Sequence, residues 1–287
     1  MIFTTRFAPS PTGPLHLGHA YSALLAYDMA KARNGQFLLR IEDIDQSRTR
    51  PEWEDQIYDD LAWLGLTWPI PVWRQSDHID DYRAAIDRLS NMGLTYPCRC
   101  NRHDIALAAS APQEGVPTYG PDGRIYPGTC QHRKMAARNP TDSIRLNLRK
   151  AIDHLAADTF EFQEPAEGPA EGNSVTKSYS ADDLRTSVGD ILLARRDMGT
   201  SYHLSVVLDD AAQNITDVVR GQDLFEVTKI HVVLQRLLGL PTPIYHHHRL
   251  IRDANGKRLA KRDDARAIAK FRQDGASPDD IRAMVGL

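Results

Sequence analysis

Apolar positions recur along the chain at two different spacings, and each change of spacing marks an element. Met1-Ile2-Phe3 is apolar and β-leaning, and it runs into a stretch punctuated by Pro9, Pro11, Gly13 and Pro14. Leu17, Ala20, Leu24 and Tyr27 then share one face at helical spacing. Gly35 stops that helix, and Gln36 to Ile41 reads as a short buried strand between turn signals. Pro51 opens a second helix with Trp53, Ile57, Leu61 and Leu64 as its stripe. A short strand near Val72-Trp73 and a helix from about Asp77 to Met92 follow. Strands alternating with helices predict an α/β fold with a doubly wound, parallel (Rossmann-type) sheet.

The alternation breaks at Tyr96-Pro97-Cys98-Arg99-Cys100 and stays irregular to about Lys177. Within that stretch Ser143 to Leu148 alternates and predicts a strand of a smaller sheet. Glu161 to Asn173 is acidic, contains Pro and Gly, and is expected to be a mobile surface loop. Patterning resumes at Asp190 to Leu193. Leu204 to Asp210 and Ile215 to Gly221 read as buried strands, Leu224 to Leu238 as a helix, and Ile244 to Leu250 as a strand. A loop over Arg252 to Arg262 and two short helices close the sequence. The expected organisation is a nucleotide-type sheet in two halves (1–95 and 186–250), an inserted α+β domain (96–185), and a lysine-rich loop with short helices (251–287).

Composition changes this picture little. The 287 residues are 25% charged and 41% hydrophobic, with a formal net charge of −3, as in an ordinary soluble domain. No global basic field steers nucleic acid, although a local patch can. The start lacks a basic region followed by an apolar core, and no run of about 18 apolar residues exists. A cytoplasmic protein that does not engage membranes is therefore expected, and a monomer. Three cysteines, Cys98, Cys100 and Cys130, do not make a secreted disulfide framework.

Candidate chemistry gathers where elements end. His16 and His19 flank Gly18 where the first helix opens, a place with unpaired N–H groups and partial positive charge that suits phosphate. The imidazoles can donate to phosphoryl oxygens, and Gly18 lets a ligand approach the backbone. Asp253 to Arg262 concentrates four cations in a turn-rich loop, suited as a lid over a triphosphate. Arg6, Glu42 and Arg220 stand at predicted strand ends, the edge where α/β sheets collect ligands. Asp209 and Asp210 are expected either to face a nucleotide or to cap a helix. Cys98, Cys100 and Cys130 in an irregular segment read as a structural zinc site, with His132 or His103 favoured by ligand chemistry as the fourth donor. His246-His247-His248 point to alternate faces of a strand and do not converge on one ion.

These motifs, in this order, resemble the class I aminoacyl-tRNA synthetases. His16-Leu17-Gly18-His19 is similar to their HIGH signature. Arg258-Leu259-Ala260-Lys261-Arg262 is similar to their KMSKS loop, with Ala260 where serine is usual. Arg6 to Gly13, Arg40 to Asp45, Val206 to Asp210 and Val218 to Gly221 resemble the glutamyl-tRNA synthetase subgroup. The sequence ends about 25 residues after the lysine loop, too little for a helical anticodon-binding domain. With Cys98, Cys100 and Tyr126 to Cys130, that is similar to a truncated branch of the subgroup.

The resemblance implies ATP-dependent activation of L-glutamate to glutamyl-adenylate, with Mg²⁺ accompanying ATP. It further implies transfer to queuosine, the modified wobble base of tRNA(Asp). It places Arg6, Ala8, Pro9, Ser10, Glu42, Tyr202 and Arg220 around glutamate, with Glu42 on the ammonium and Arg220 near a carboxylate. It places His16, Gly18, His19 and Lys261 on ATP, with both histidines and Lys261 in catalysis. It makes Tyr126 the fourth zinc ligand beside Cys98, Cys100 and Cys130, with His132 the rival. Two alternatives stand beside this reading: a minimal glutamyl-tRNA synthetase that charges a tRNA 3′ end, and an inactive RNA-binding paralogue.

Overall fold

The computed structural model describes residues 2–108, 118–165, 174–252 and 266–287. The cationic stretch 253–262, with Lys261 and Ala260, lies outside the described residues, as do residues 166–173, most of the acidic stretch Glu161 to Asn173.

Strand β1 (Thr4–Phe7), buried at every position, leads through the prolines into helix α1 (Leu17–Ala32). Strand β2 (Gln36–Ile41) pairs parallel to β1. Helix α2 (Pro51–Trp63) begins with Pro51, whose missing N–H costs nothing at a first turn. Strand β3 (Trp73–Arg74) extends the parallel sheet beyond β2. Helix α3 (Ile79–Asn91) then delivers the chain to β4 (Thr95–Cys98).

The middle of the chain holds α4 (Arg102–Ala108), the two-residue strands β5 (Tyr119–Gly120) and β6 (Gly123–Arg124), β7 (Ser143–Leu146), α5 (Leu148–Leu155), and the hairpin β8 (Thr159–Pro165) and β9 (Ser174–Ser180). Helix α6 (Ala181–Ser187) and β10 (Leu192–Ala194) follow. Strand β7 is sandwiched antiparallel between β4 and β10.

Helix α7 (Tyr202–Ala212) returns the chain to the large sheet through the parallel pair β11 (Asp217–Gly221) and β12 (Ile244–His248), joined by helix α8 (Thr228–Leu238). Thr216 N donates to Thr4 O at 2.9 Å, and Thr4 N donates to Thr216 Oγ1 at 2.8 Å, so β11 lies along the free side of β1. The chain thus builds outward from β1 through β2 and β3, then in the opposite direction through β11 and β12. The reversal falls between β1 and β11, and a crevice opens at the carboxyl ends of strands at such a point. Helices α9 (Ile268–Gln273) and α10 (Pro278–Val285) pack beside α1; Ile281 and Val285 of α10 join its core.

Two cores flank the sheet. One gathers Leu24, Ile41, Ile57 and Leu61 with Val219, Ile251, Ile268 and Ile281. The other gathers Tyr82, Leu89, Leu146, Phe160, Leu204, Val232 and Tyr245, so residues of the 96–185 stretch share it. A fully buried Leu, Ile or Phe contributes roughly 1.5–3 kcal/mol. Among the described residues no helix is long and apolar enough to cross a membrane.

Three expectations are corrected. Leu204 to Asp210 is helical, not a strand: Ser201 caps α7 by accepting from Leu204 N, and the helix is buried from His203 to Val207. A helix buried on both faces carries the continuous apolar run of a central strand. Glu161 to Pro165 belongs to β8, where Phe160 and Phe162 point into the core and Thr159 and Glu161 outward. Asp209 and Asp210, near the C-terminal end of α7, neither cap its start nor line the cleft described below; both are absorbed by buried cations.

Candidate active site

A cleft of about 500 Å³ opens at the carboxyl ends of β1 and β11. Its lining includes Arg6, Ala8, Pro9, Ser10, His16, Gly18, His19, Glu42, Tyr202 and Arg220. All the described residues that the resemblance assigns to glutamate and ATP therefore line one cleft. A second polar cavity of about 430 Å³ adjoins it, sharing Ser10, Thr12, Glu42 and Tyr202.

The first wall is the start of α1. His16 is its N-cap, and His16 Nδ1 accepts from Gly18 N at 3.1 Å. His19 Nδ1 accepts from His16 N at 3.1 Å. Each ring, when neutral, thus carries its proton on Nε2, a donor suited to a phosphoryl oxygen. The rings stack with centroids 3.8 Å apart. A Cβ on Gly18 would lie 3.0 Å from His16 Cε1, so a side chain there would press on the imidazole. Leu15 O accepts from Ile268 N at 2.9 Å and His16 bridges Ala267. Ile251 lines the same cleft. Ile251 and Ala267, on either side of residues 253–265, therefore both stand at this histidine edge.

The second wall is a buried charge network. Arg6 donates to both oxygens of Asp210, at 2.8 and 3.3 Å. Arg40 donates to Asp210 at 2.7 Å and to Glu42 at 3.3 Å, and its Nε lies 3.8 Å from Asp209. Gln75, Tyr82 and Trp73 complete the shell of Asp209. Burial opposes ionisation of Asp210, but Arg6 and Arg40 outweigh it and hold the carboxyl below its usual range. Burial dominates at Glu42 despite Arg40 and Arg6, and the carboxyl is pushed up to about 7. An ammonium brought to Glu42 would relieve that burial and restore its charge.

The third wall holds Arg220, 6% exposed, in β11. Its Nε donates to His247 Nε2 at 3.2 Å, and one terminal nitrogen donates to His231 Nδ1 at 3.1 Å. The other terminal nitrogen donates to Thr228 Oγ1 at 2.6 Å and Leu224 O at 3.2 Å. Its face lies over Tyr245, 4.9 Å from the ring centre. Every one of these partners is neutral. Burial, then Arg220 itself, lowers His247 to about 3 and His231 well below its ordinary value.

The cysteine cluster lies apart, between β4 and β7. Cys98, Cys100 and Cys130 bring their sulfurs within 4.8 Å of one another. Tyr126 Oη stands 3.3 Å from Cys98 Sγ and 3.5 Å from Cys100 Sγ, and Cys100 and Cys130 sulfurs are 3.6 Å apart. Tetrahedral zinc with zinc–sulfur bonds of about 2.3 Å sets its sulfurs about 3.8 Å apart, so the donors fit that ion. Burial opposes ionisation of Cys130, but hydrogen bonds from Tyr126 and the Arg99 backbone bring its thiol down to about 7. Burial and the three thiols push the Tyr126 phenol up, so it would act as a ligand only against a cation. His132 and His103 are exposed and stand outside the cluster. The three consecutive histidines of β12 take separate partners: Asp217 for His246, Glu164 for His247, Ser22 for His248.

Sequence reasoning missed Asp210, Thr228, His231 and His247 as the supports of the two arginines. His231 is buried in α8 on a face it shares with the buried polar residues Thr228 and Gln235, and helical spacing alone does not single it out.

Residues 3–287 match the family model of the class I tRNA synthetases (E and Q), catalytic domain. Among curated proteins, the glutamyl-Q tRNA(Asp) synthetase of Rhodobacter capsulatus is 58% identical over 99% of both chains. That of Geobacter sulfurreducens is 40% identical over 93% of this chain and 78% of its own. A solved glutamate tRNA ligase from Elizabethkingia meningosepticum, in complex with its amino acid, superposes with a TM-score of 0.75 at 25% identity. The match covers all of this chain but 61% of that one, so the chain spans less than two thirds of that ligase.

Proposed function

This chain belongs to the class I tRNA synthetases of the E and Q type, and from that premise we propose that it activates L-glutamate with ATP and transfers the glutamyl group to queuosine in the anticodon of tRNA(Asp). The observation that carries the reading is a single cleft. It sets the ammonium-seeking Glu42 and the carboxylate-seeking Arg220 beside the paired histidines at a helix start.

Glutamate brings one ammonium and two carboxylates. Glu42 takes the ammonium and Arg220 a carboxylate, whose two oxygens suit a planar guanidinium. Arg6, Ala8, Pro9, Ser10 and Tyr202 shape the rest of that pocket. An α-carboxylate oxygen attacks the α-phosphorus of ATP, the bond to the bridging oxygen breaks, and pyrophosphate leaves. No protein nucleophile takes part, so catalysis is alignment and electrostatics. His16 and His19 present Nε2–H to the phosphates, Gly18 admits the nucleotide, and Lys261 offsets charge on the departing pyrophosphate. Mg²⁺ enters with the triphosphate. A hydroxyl of queuosine then attacks the activated carbonyl, an ester forms and AMP leaves.

Cys98, Cys100, Cys130 and Tyr126 would hold one structural zinc, which crosslinks the segment between β4 and β7. Cys98→Ser should lower the metal content of the purified protein while the large sheet keeps its fold; a wild type purified metal-free without chelator would refute the site.

Exchange of pyrophosphate into ATP, run with each amino acid and with and without tRNA(Asp), tests activation: glutamate alone should support it. Labelled glutamate should then reach tRNA(Asp) that carries queuosine and not the unmodified tRNA. Equal labelling of both, at the 3′ end, would assign the chain to 3′-end charging instead.

A further inference from the structure

Arg220 is held by two chains of hydrogen bonds whose proton positions follow from chemistry. A guanidinium only donates, so His247 Nε2 must be an acceptor and its proton sits on Nδ1. That Nδ1–H points to Glu164 Oε1 at 2.8 Å. His231 Nδ1 likewise accepts, so its proton sits on Nε2, 3.3 Å from His203 Nδ1. His203 then carries its proton on Nε2, 3.2 Å from Asp122 Oδ1. The two chains run from Arg220 through one imidazole to Glu164 of the β8 hairpin, and through two imidazoles to Asp122 between β5 and β6.

The contrast with Arg6 gives these chains their meaning. Arg6 is equally buried, yet its guanidinium is paired directly with the Asp210 carboxylate. At Arg220 the carboxylates stand one and two imidazoles away. Four hydrogen bonds hold the guanidinium, and no carboxylate among the described residues forms an ion pair with it. A buried cation so placed attracts an anionic ligand and repels the N–H donors of a neutral amide.

Resting on the glutamate reading above, we propose that His231 and His247 are positioning residues that set the choice of glutamate over glutamine. They orient Arg220 without neutralising it, and Glu164, His203 and Asp122 fix their tautomers.

The experiment measures glutamate-dependent and glutamine-dependent pyrophosphate exchange, in the presence of tRNA(Asp), for wild type and five variants. His231→Asp places a carboxylate against Arg220; the preference for glutamate over glutamine should fall at least about tenfold, with the KM for ATP unchanged. His231→Leu removes the acceptor and should raise the glutamate KM about tenfold or more, while His231→Asn, whose amide oxygen can replace Nδ1, should recover most of the loss. Glu164→Leu frees the His247 tautomer and should raise the glutamate KM several-fold, roughly 5-fold, with Glu164→Gln restoring it. Should His231→Leu fail to fold, the Glu164 pair, in a partly exposed hairpin, still decides the matter. Wild-type glutamate KM and wild-type amino-acid preference in folded His231→Asp and Glu164→Leu would overturn the inference alone. Absence of glutamate-dependent exchange in the wild type would overturn the activation reading and this inference with it.

Discussion

Two walls of one cleft each bury an arginine, and they treat it in opposite ways. On the β1 side Arg6 and Arg40 share Asp210, with Asp209 and Glu42 close by. On the β11 side Arg220 meets two imidazoles, a hydroxyl and a carbonyl oxygen. Residue type and burial are the same, so neither separates the roles. The partners do: a buried cation with its counter-charge in contact is part of the frame, and one without it is part of the binding surface.

Breaking the wall on the β1 side should have the largest effect. Asp210→Ala leaves Arg6 and Arg40 buried without their shared counter-charge and should cost about 3–5 kcal/mol of stability, seen as a large drop in unfolding temperature. Arg220→Leu inverts the outcome: the protein should stay folded while glutamate activation falls about 30-fold or more, corresponding to the 2–5 kcal/mol lost with one partner of a buried charge pair. Comparable melting curves for the two variants would erase the distinction between frame and binding surface.

A carboxyl outside the lining of the cleft shows what burial does without a hydrogen-bond partner. Asp60 in α2 is fully buried with no hydrogen-bond partner among the described residues, and burial, with Asp59 beside it, pushes it up to about 6. An acid raised on folding favours the folded state fully below its ordinary value of 3.8 and loses that contribution as pH rises through 6. Asp60→Asn should therefore stabilise the protein at pH 7 by about 1–3 kcal/mol and by much less at pH 4, in parallel urea titrations.

The smallest effect belongs to Glu42. Its carboxyl, near 7, must be ionised to take an ammonium. The apparent glutamate KM should hold above pH 7 and rise by up to about tenfold per unit below it. Glu42→Gln should flatten that profile at a higher KM throughout.

Much of the cleft is legible in the sequence because its residues end strands or start a helix, where spacing and turn chemistry are local. Arg6, Glu42, Arg220 and the two histidines are of this kind, and they lie together as the positions predict. What is not legible is made by distance along the chain. Leu204 to Asp210 reads as a strand because burial on both faces erases helical periodicity. Asp210, His231 and His247 reveal their roles only when α7, α8 and β12 pack against β1 and β11. The Phe160 and Phe162 alternation was obscured by the acidic composition that follows it.

The Arg6–Asp210 pair joins residues 204 positions apart. On the ribosome, at about 5–20 residues per second, Arg6 emerges roughly 10–40 s before its partner exists. Until then β1 lacks both its counter-charge and its β11 neighbour, and Arg40 is in the same position. The helix start that carries His16 and His19 is synthesised first, yet it cannot be seated on a finished sheet until the last third of the chain arrives. A chain that stops short of residue 210 therefore carries Arg6 and Arg40 without the carboxylate they share.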